Sequence, residues 1–241
     1  MSYSPVLAVV TAAFEIIVAG WAFTNRSKVK SRGVLYTTVA IFLLLAAYQL
    51  AEVAICANVA AAGFLPRLAF IIVTWLPALG LLLVAQLRRP RSRILDGSAY
   101  AMLAASAGIV AWIVADRSFA SASVCNAVYA CYSHAMPRFL MYARFYWLGL
   151  LGMILFSGHG AVTCRDPRRR QQLAQVFVGT TGFVALSMMM SWFVPPARGA
   201  LPSIMCHFAL LLAVCLTRLV ALELGATRAR VAWRFLKRRN S

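Results

Sequence analysis

Long apolar runs alternate with short polar connections along almost the whole chain, and every second connection carries a cluster of Arg and Lys. A helix crossing about 30 Å of hydrocarbon needs roughly 20 consecutive apolar residues. Seven runs approach or exceed that length, over about 5–24, 34–57, 67–87, 97–115, 138–158, 174–194 and 203–224. Backbone polar groups in hydrocarbon have to be satisfied within their own segment, so each run is predicted to be helical. The basic clusters are Arg26/Lys28/Lys30/Arg32, Arg88/Arg89/Arg91/Arg93, Arg165/Arg168/Arg169/Arg170 and a tail from Arg228 to Arg239. Short loops rich in Lys and Arg stay in the cytoplasm. The pattern thus predicts an all-α polytopic integral membrane protein of the inner membrane, with seven transmembrane helices, N-terminus out and C-terminus in. Residues 1–224 form the bundle and 225–241 a basic cytoplasmic tail. No basic residue precedes the first run, whereas a secretory signal carries its charge first, so the first run is expected to be a retained helix.

Breakers and small residues refine this reading. The Pro195-Pro196 pair stops the sixth run, because proline donates no backbone hydrogen bond. Pro77 sits inside the third and predicts a kink, serving either packing or a hinge beside a cavity. Gly97, Ala101, Ala105 and Gly108 form a row of small residues on the fourth run, which fits close packing inside the bundle or a homodimer face. The longest outer connection, 116–137, holds Cys125 and Cys131. A disulfide between them, or from one of them to Cys56 or Cys206, would restrain this loop as a lid on the oxidising side; reduced cysteines are the alternative.

Composition agrees with the membrane class: 62% of residues are hydrophobic and 12% charged. Nothing between the runs is long enough for a soluble kinase, nucleotide-binding or DNA-binding domain. A formal charge of +18 would suggest nucleic acid in a soluble protein, but eighteen of the 24 basic residues lie in the four clusters. Insertion topology and the anionic lipids of the inner leaflet account for them, at about 1 kcal/mol per residue near the surface. Membrane lipids are therefore expected partners and nucleic acid is not. Around Trp233 and Phe235 the tail mixes aromatic and basic residues, as an interfacial helix does; docking to a cytoplasmic partner is the alternative.

Few charged side chains fall inside the runs, and such groups are functional candidates because burial costs them roughly 2.5–3.5 kcal/mol each. Glu15 lies near the middle of the first run. Glu52 and Gln49 lie near the outer end of the second, Arg144 near that of the fifth, and His207 near that of the seventh. At similar depth, Glu52, Arg144 and His207 could converge with Gln49 and Tyr142. A Glu52–Arg144 ion pair would lower the cost of burying either charge. It would serve packing alone or a ligand-binding pocket opening outward, rimmed by Trp75 and Trp147. Glu15 has no evident partner and reads as a proton or cation site, or as a group bonded to threonines such as Thr37 and Thr38.

Other chemistries fail on spacing. Ser157-Gly158-His159-Gly160 resembles a nucleophile turn but lacks a paired acid, and neither an HExxH helix nor a Gly-x-Ser-x-Gly elbow occurs. His134, Cys206 and His207 with Cys125 and Cys131 show no metal-ligand spacing. Lys28, Lys30 and Lys237 are the only lysines and none lies in a run, which excludes a retinal Schiff base. No catalytic residue, metal or cofactor is expected.

The segments Leu43-Leu44-Leu45-Ala46-Ala47-Tyr48-Gln49-Leu50-Ala51-Glu52 and Arg67-Leu68-Ala69-Phe70 through Trp75-Leu76-Pro77 resemble the N-terminal seven-helix sensor region of some bacterial histidine kinases. In that family a small-and-apolar helix ends near an acidic residue, and the next helix carries a mid-span proline. The resemblance covers about a fifth of the chain, and no output domain follows the seventh run. It implies a sensor or receptor-like subunit that signals through a partner. The expectation is a membrane-embedded, non-enzymatic subunit binding a small ligand or membrane partner from the outer side. The alternative is a small transporter coupled to protons or cations through Glu15 and Glu52, with Pro77 as hinge.

Overall fold

The computed structural model describes the backbone of residues 5–57, 64–88, 90, 92–116, 118–120, 122–125, 130–133, 136–193 and 201–239, and their side chains except at 122–124, 130–133, 136, 201–202 and 226–239. Helices α1 (Val6–Thr24), α2 (Arg32–Ala57), α3 (Phe64–Leu87) and α4 (Arg93–Ala115) precede two short strands, β1 (Ala122–Cys125) and β2 (Ala130–Ser133). Helices α5 (Met136–Thr163), α6 (Pro167–Phe193) and α7 (Leu201–Arg239) follow. All seven helices are long and apolar enough to cross a membrane.

The helices outrun the apolar stretches at the basic end. α4 starts at Arg93, α5 continues to Thr163, α6 starts at Pro167 and α7 runs through the tail to Arg239. An apolar run marks the length of hydrocarbon to be crossed, whereas Arg and Gln are good helix formers beyond it. The α6 start has a local cause: Pro167 takes the first helical position, where a missing N–H is harmless. Asp166 Oδ1 accepts the Arg168 backbone N–H at 3.0 Å as a cap.

Sequential helices pack side by side except α4 and α5, which barely touch; α5 packs on α3 instead, and α7 closes the bundle against α1 and α2. α2, α3 and α7 are the most enclosed, while α4 and α5 are the most exposed. One apolar cluster, around Phe42, Leu83 and Leu216, fills the middle and the basic end. A second, around Tyr48, Phe70, Phe119 and Tyr142, fills the opposite end. Pro77 is buried where α3 meets α5, and a Cβ added to Gly149 would lie 2.4 Å from the Pro77 Cβ. The absent side chain at Gly149 makes room for the proline.

One expectation is corrected and one open choice is decided. Gly97, Ala101, Ala105 and Gly108 are exposed, so the row faces away from the bundle rather than packing within it. Of the pairings left open by the sequence, the one formed joins Cys56 at the end of α2 to Cys125 at the end of β1, with a Cα–Cα distance of 5.7 Å, and not Cys125 to Cys131. The strands form an antiparallel ribbon within the 116–137 connection, with Cys125 opposite Ala130 and Cys131 opposite Val124. Cys131 thus stands one register position away from the residue opposite Cys125.

Candidate functional site

The non-basic end of the bundle carries a polar network between α2 and α7. Gln49 and Glu52 stand three apart on α2, on one face, and both are fully buried. Ser203, Cys206 and His207 hold the matching positions on α7. The Ser203 hydroxyl lies 2.7 Å from each Glu52 carboxylate oxygen and donates its proton to the carboxylate. Gln49 donates through Nε2 to the Cys206 carbonyl at 2.8 Å. His207 Nδ1 lies 2.8 Å from the Ser203 carbonyl oxygen, which suits an Nδ1–H donor. Glu52, Gln49 and His207 therefore come together as their depths suggested, with α7 supplying Ser203 as the hub.

Arg144 does not join them. It is exposed on the outward face of α5, flanked by exposed Met141 and Leu148, and the Glu52–Arg144 ion pair does not form. Helical phase is the reason. Tyr142, Gly149, Leu150 and Met153 turn inward, and residue 144, two positions beyond Tyr142, lies about 200° round the helix. Similar depth placed Arg144 beside Glu52; its azimuth places it outside.

Glu15 is fully buried in α1, and neither carboxylate oxygen has a hydrogen-bond partner among the described residues. The threonines considered for it are engaged elsewhere: Thr37 donates to Gln86 Oε1 at 3.2 Å and Thr38 to the Val34 carbonyl at 2.8 Å. Cys206 lies within electrostatic reach of both Glu15 and Glu52.

Beside the network lies a cavity of about 70 Å³ between α3, α5 and α7. Its wall is Val73 of α3, Phe139, Tyr142, Ala143, Tyr146 and Trp147 of α5, and Met205 and Cys206 of α7. A deeper apolar space of about 30 Å³ shares Tyr146, Met205 and Cys206 and reaches Phe183 and Leu216. Tyr142 anchors the aromatic end of the bundle, edge-on to Phe70 at 5.3 Å and stacked on Tyr146 at 6.0 Å. The walls offer apolar and aromatic surface, which takes an apolar group rather than an ion. Trp147 lines this cavity, whereas Trp75 is half-buried on α3 and does not. The sequence signal for it was the spacing of Phe139, Tyr142 and Tyr146, three and four apart and so on one face.

A second cluster, unanticipated from sequence, fastens α6 to α7 at the basic end. Glu223 is buried; its Oε1 accepts from Arg169 at 2.7 Å and Gln172 at 3.0 Å, and its Oε2 from Arg168 at 2.5 Å. Arg168 and Arg169 thus clamp a helix pair where loop charges were expected. Ser157 is buried within α5 and donates to the Met153 carbonyl at 2.5 Å, so the Ser157–Gly160 run is helix rather than a nucleophile turn. Among the described residues no group of His, Cys, Asp or Glu could hold a metal ion; His134 and the Cys131 side chain lie outside them.

No protein-family model matches this chain, and no curated protein matches it either.

Proposed function

We propose that this chain is a multi-pass inner-membrane protein that serves as a receptor-like sensor subunit, taking a small apolar ligand into the cavity between α3, α5 and α7. The observation that carries the reading is that cavity: an aromatic, largely apolar space adjoining the buried Glu52–Ser203–Gln49 network. Met205 and Cys206 line the cavity, and Cys206 is also bonded by Gln49, so a bound group would press on the segment of α7 that α2 holds. α7 continues without a break to Arg239 and offers a rigid route to the other end of the bundle. The chain would then bind and relay, without catalysis or cofactor. A protein partner or second copy would receive the signal, as the resemblance to kinase sensor regions implies.

Two independent features support an orientation with the N-terminus out and the C-terminus in. The basic clusters gather at one end of the bundle, as cytoplasmic loops do. The Cys56–Cys125 disulfide lies at the other, as expected of an oxidising compartment. Basic residues at the inner end would meet anionic lipids. The reading is tested by thermal denaturation with octanol or indole as probe. Either should stabilise the wild type by mass action and leave an Ala143→Phe variant, whose cavity is filled, unchanged. Equal shifts in both proteins would count against the cavity.

Glu15 supports a second reading, transport coupled to protons or cations. A fully buried carboxyl without a hydrogen bond among the described residues of a candidate span is a functional candidate by default, and Glu52 lies within electrostatic reach of the same Cys206. In proteoliposomes a transporter would carry proton- or cation-dependent flux that Glu15→Gln abolishes. A sensor would show no flux in either protein.

A further inference from the structure

We infer that the basic end of the bundle holds a binding site for a phosphate group, in a cleft between α3, α4 and α5 that is separate from the cavity above. The cleft encloses about 380 Å³ and is lined by Arg88, Ser92, His159 and Thr163, with Pro90, Gly160 and Cys164 completing it. It exists because α4 and α5 make little contact, leaving the end of α3, the start of α4 and the last turns of α5 around a gap.

Three donors face this gap without another engagement among the described residues. Arg88 extends the last turn of α3, its backbone N–H donating to the Val84 carbonyl at 3.0 Å. Its half-buried guanidinium makes no ion pair. Ser92 stands at the N-cap of α4, yet its hydroxyl caps nothing. His159 is exposed and lines the cleft; its backbone carbonyl accepts from Thr163 at 2.8 Å, and its ring makes no hydrogen bond among the described residues.

Four other basic side chains at this end are already occupied. Arg168 and Arg169 hold Glu223, Lys28 donates to Asn25, and Arg26 covers the Phe23 ring. No carboxylate lines the cleft: Asp96 lies further along α4, and Asp166 caps α6. The uncapped start of a 23-residue helix adds free N–H groups and the positive end of its dipole.

A guanidinium, a hydroxyl, an imidazole and a helix start match the oxygens of a phosphate group, which Arg recognises with two donors at once. The phosphate could belong to an anionic phospholipid headgroup, as basic pockets between spans at the cytoplasmic side favour, or be free in solution.

The test uses the full chain in phosphatidylcholine nanodiscs, with thermal stability as readout. Inorganic phosphate is titrated in one arm, and phosphatidylglycerol is included in the discs in the other. Stabilisation by phosphatidylglycerol alone identifies a headgroup site, and stabilisation by inorganic phosphate identifies a site for the free ion; both support the proposal. Arg88→Gln should weaken the effect about fivefold, the contribution of one basic residue at an anionic surface. Arg26→Gln, at the same end but outside the cleft, should leave it unchanged. Stability without phosphate, measured for each variant, separates lost binding from misfolding. The proposal is overturned if neither phosphate source stabilises the wild type, or if both variants weaken the effect equally, which would indicate general surface charge.

Discussion

Replacing Glu223 with Ala should be among the most destabilising single changes in the protein. Glu223 accepts from Arg168, Arg169 and Gln172, at 2.5, 2.7 and 3.0 Å. Arg168 is partly exposed and contributes little on its own, about 0–1 kcal/mol as a surface pair. Arg169 is different, with 7% of its side chain accessible and its charge compensated by Glu223. Removing the carboxylate leaves that cation buried, at a cost of about 3–5 kcal/mol. At roughly 2–4 °C per kcal/mol for a chain of this length, the midpoint should fall by about 6–20 °C. Cys206 and Cys215 are buried thiols outside the disulfide, so a thiol-reactive fluorophore in detergent reports unfolding without a new label. Replacing Arg169 and Glu223 together by Met should cost less than the sum of the single changes, because a buried pair exchanged for apolar side chains is often neutral. An unchanged midpoint for Glu223→Ala, or strict additivity in the double variant, would refute the argument.

Gly149→Leu should destabilise by about 1–3 kcal/mol through overpacking, since a Cβ there already lies 2.4 Å from the Pro77 Cβ; a normal midpoint would mean that α3 and α5 separate freely. Asp116, outside the spans, accepts from the Ser118 hydroxyl and amide and pairs with Arg138 at 2.8 Å. The Ser118 hydroxyl, aided by Arg138, holds its carboxyl below the ordinary value of 3.8. This contribution is complete above that value and fades as pH falls through the lowered pKa. Protease sensitivity of the 116–137 connection should therefore rise on acidification below it, and Asp116→Asn should remove the dependence. A membrane-impermeant reductant should open Cys56–Cys125 in spheroplasts and expose two thiols to an impermeant maleimide; labelling only after lysis would reverse the proposed orientation.

The number and order of the helices were legible because a helix able to cross hydrocarbon needs a minimum apolar length, and that length shows in the apolar runs. Helix ends were not, because nothing in hydropathy forbids a helix from continuing through Arg and Gln; Asp166-Pro167 was the available signal for the start of α6. At the candidate site, depth brought Gln49, Glu52 and His207 together correctly. The same reasoning misplaced Arg144, since depth ignores the direction in which a helix presents its side chain. Ser203 was missed because a lone serine near a helix start carries no pattern, although it is the residue that joins Glu52 to α7. The clamp around Glu223 was missed because Arg168 and Arg169 had an adequate explanation as topogenic charge. A residue that satisfies one physical requirement can satisfy a second, and only the fold reveals the second.

The apolar cavity beside the α2–α7 network is the centre of this account, and photolabelling tests it most directly. Full-length protein in lipid nanodiscs is irradiated with a small diazirine-bearing alkane, and labelled positions are mapped by mass spectrometry. The account predicts labelling at Tyr146 and Cys206, which line the cavity, and its loss in Ala143→Phe while the exposed Leu148 stays labelled. Absence of label at Tyr146 and Cys206 in the wild type, or label unchanged when the cavity is filled, would contradict it.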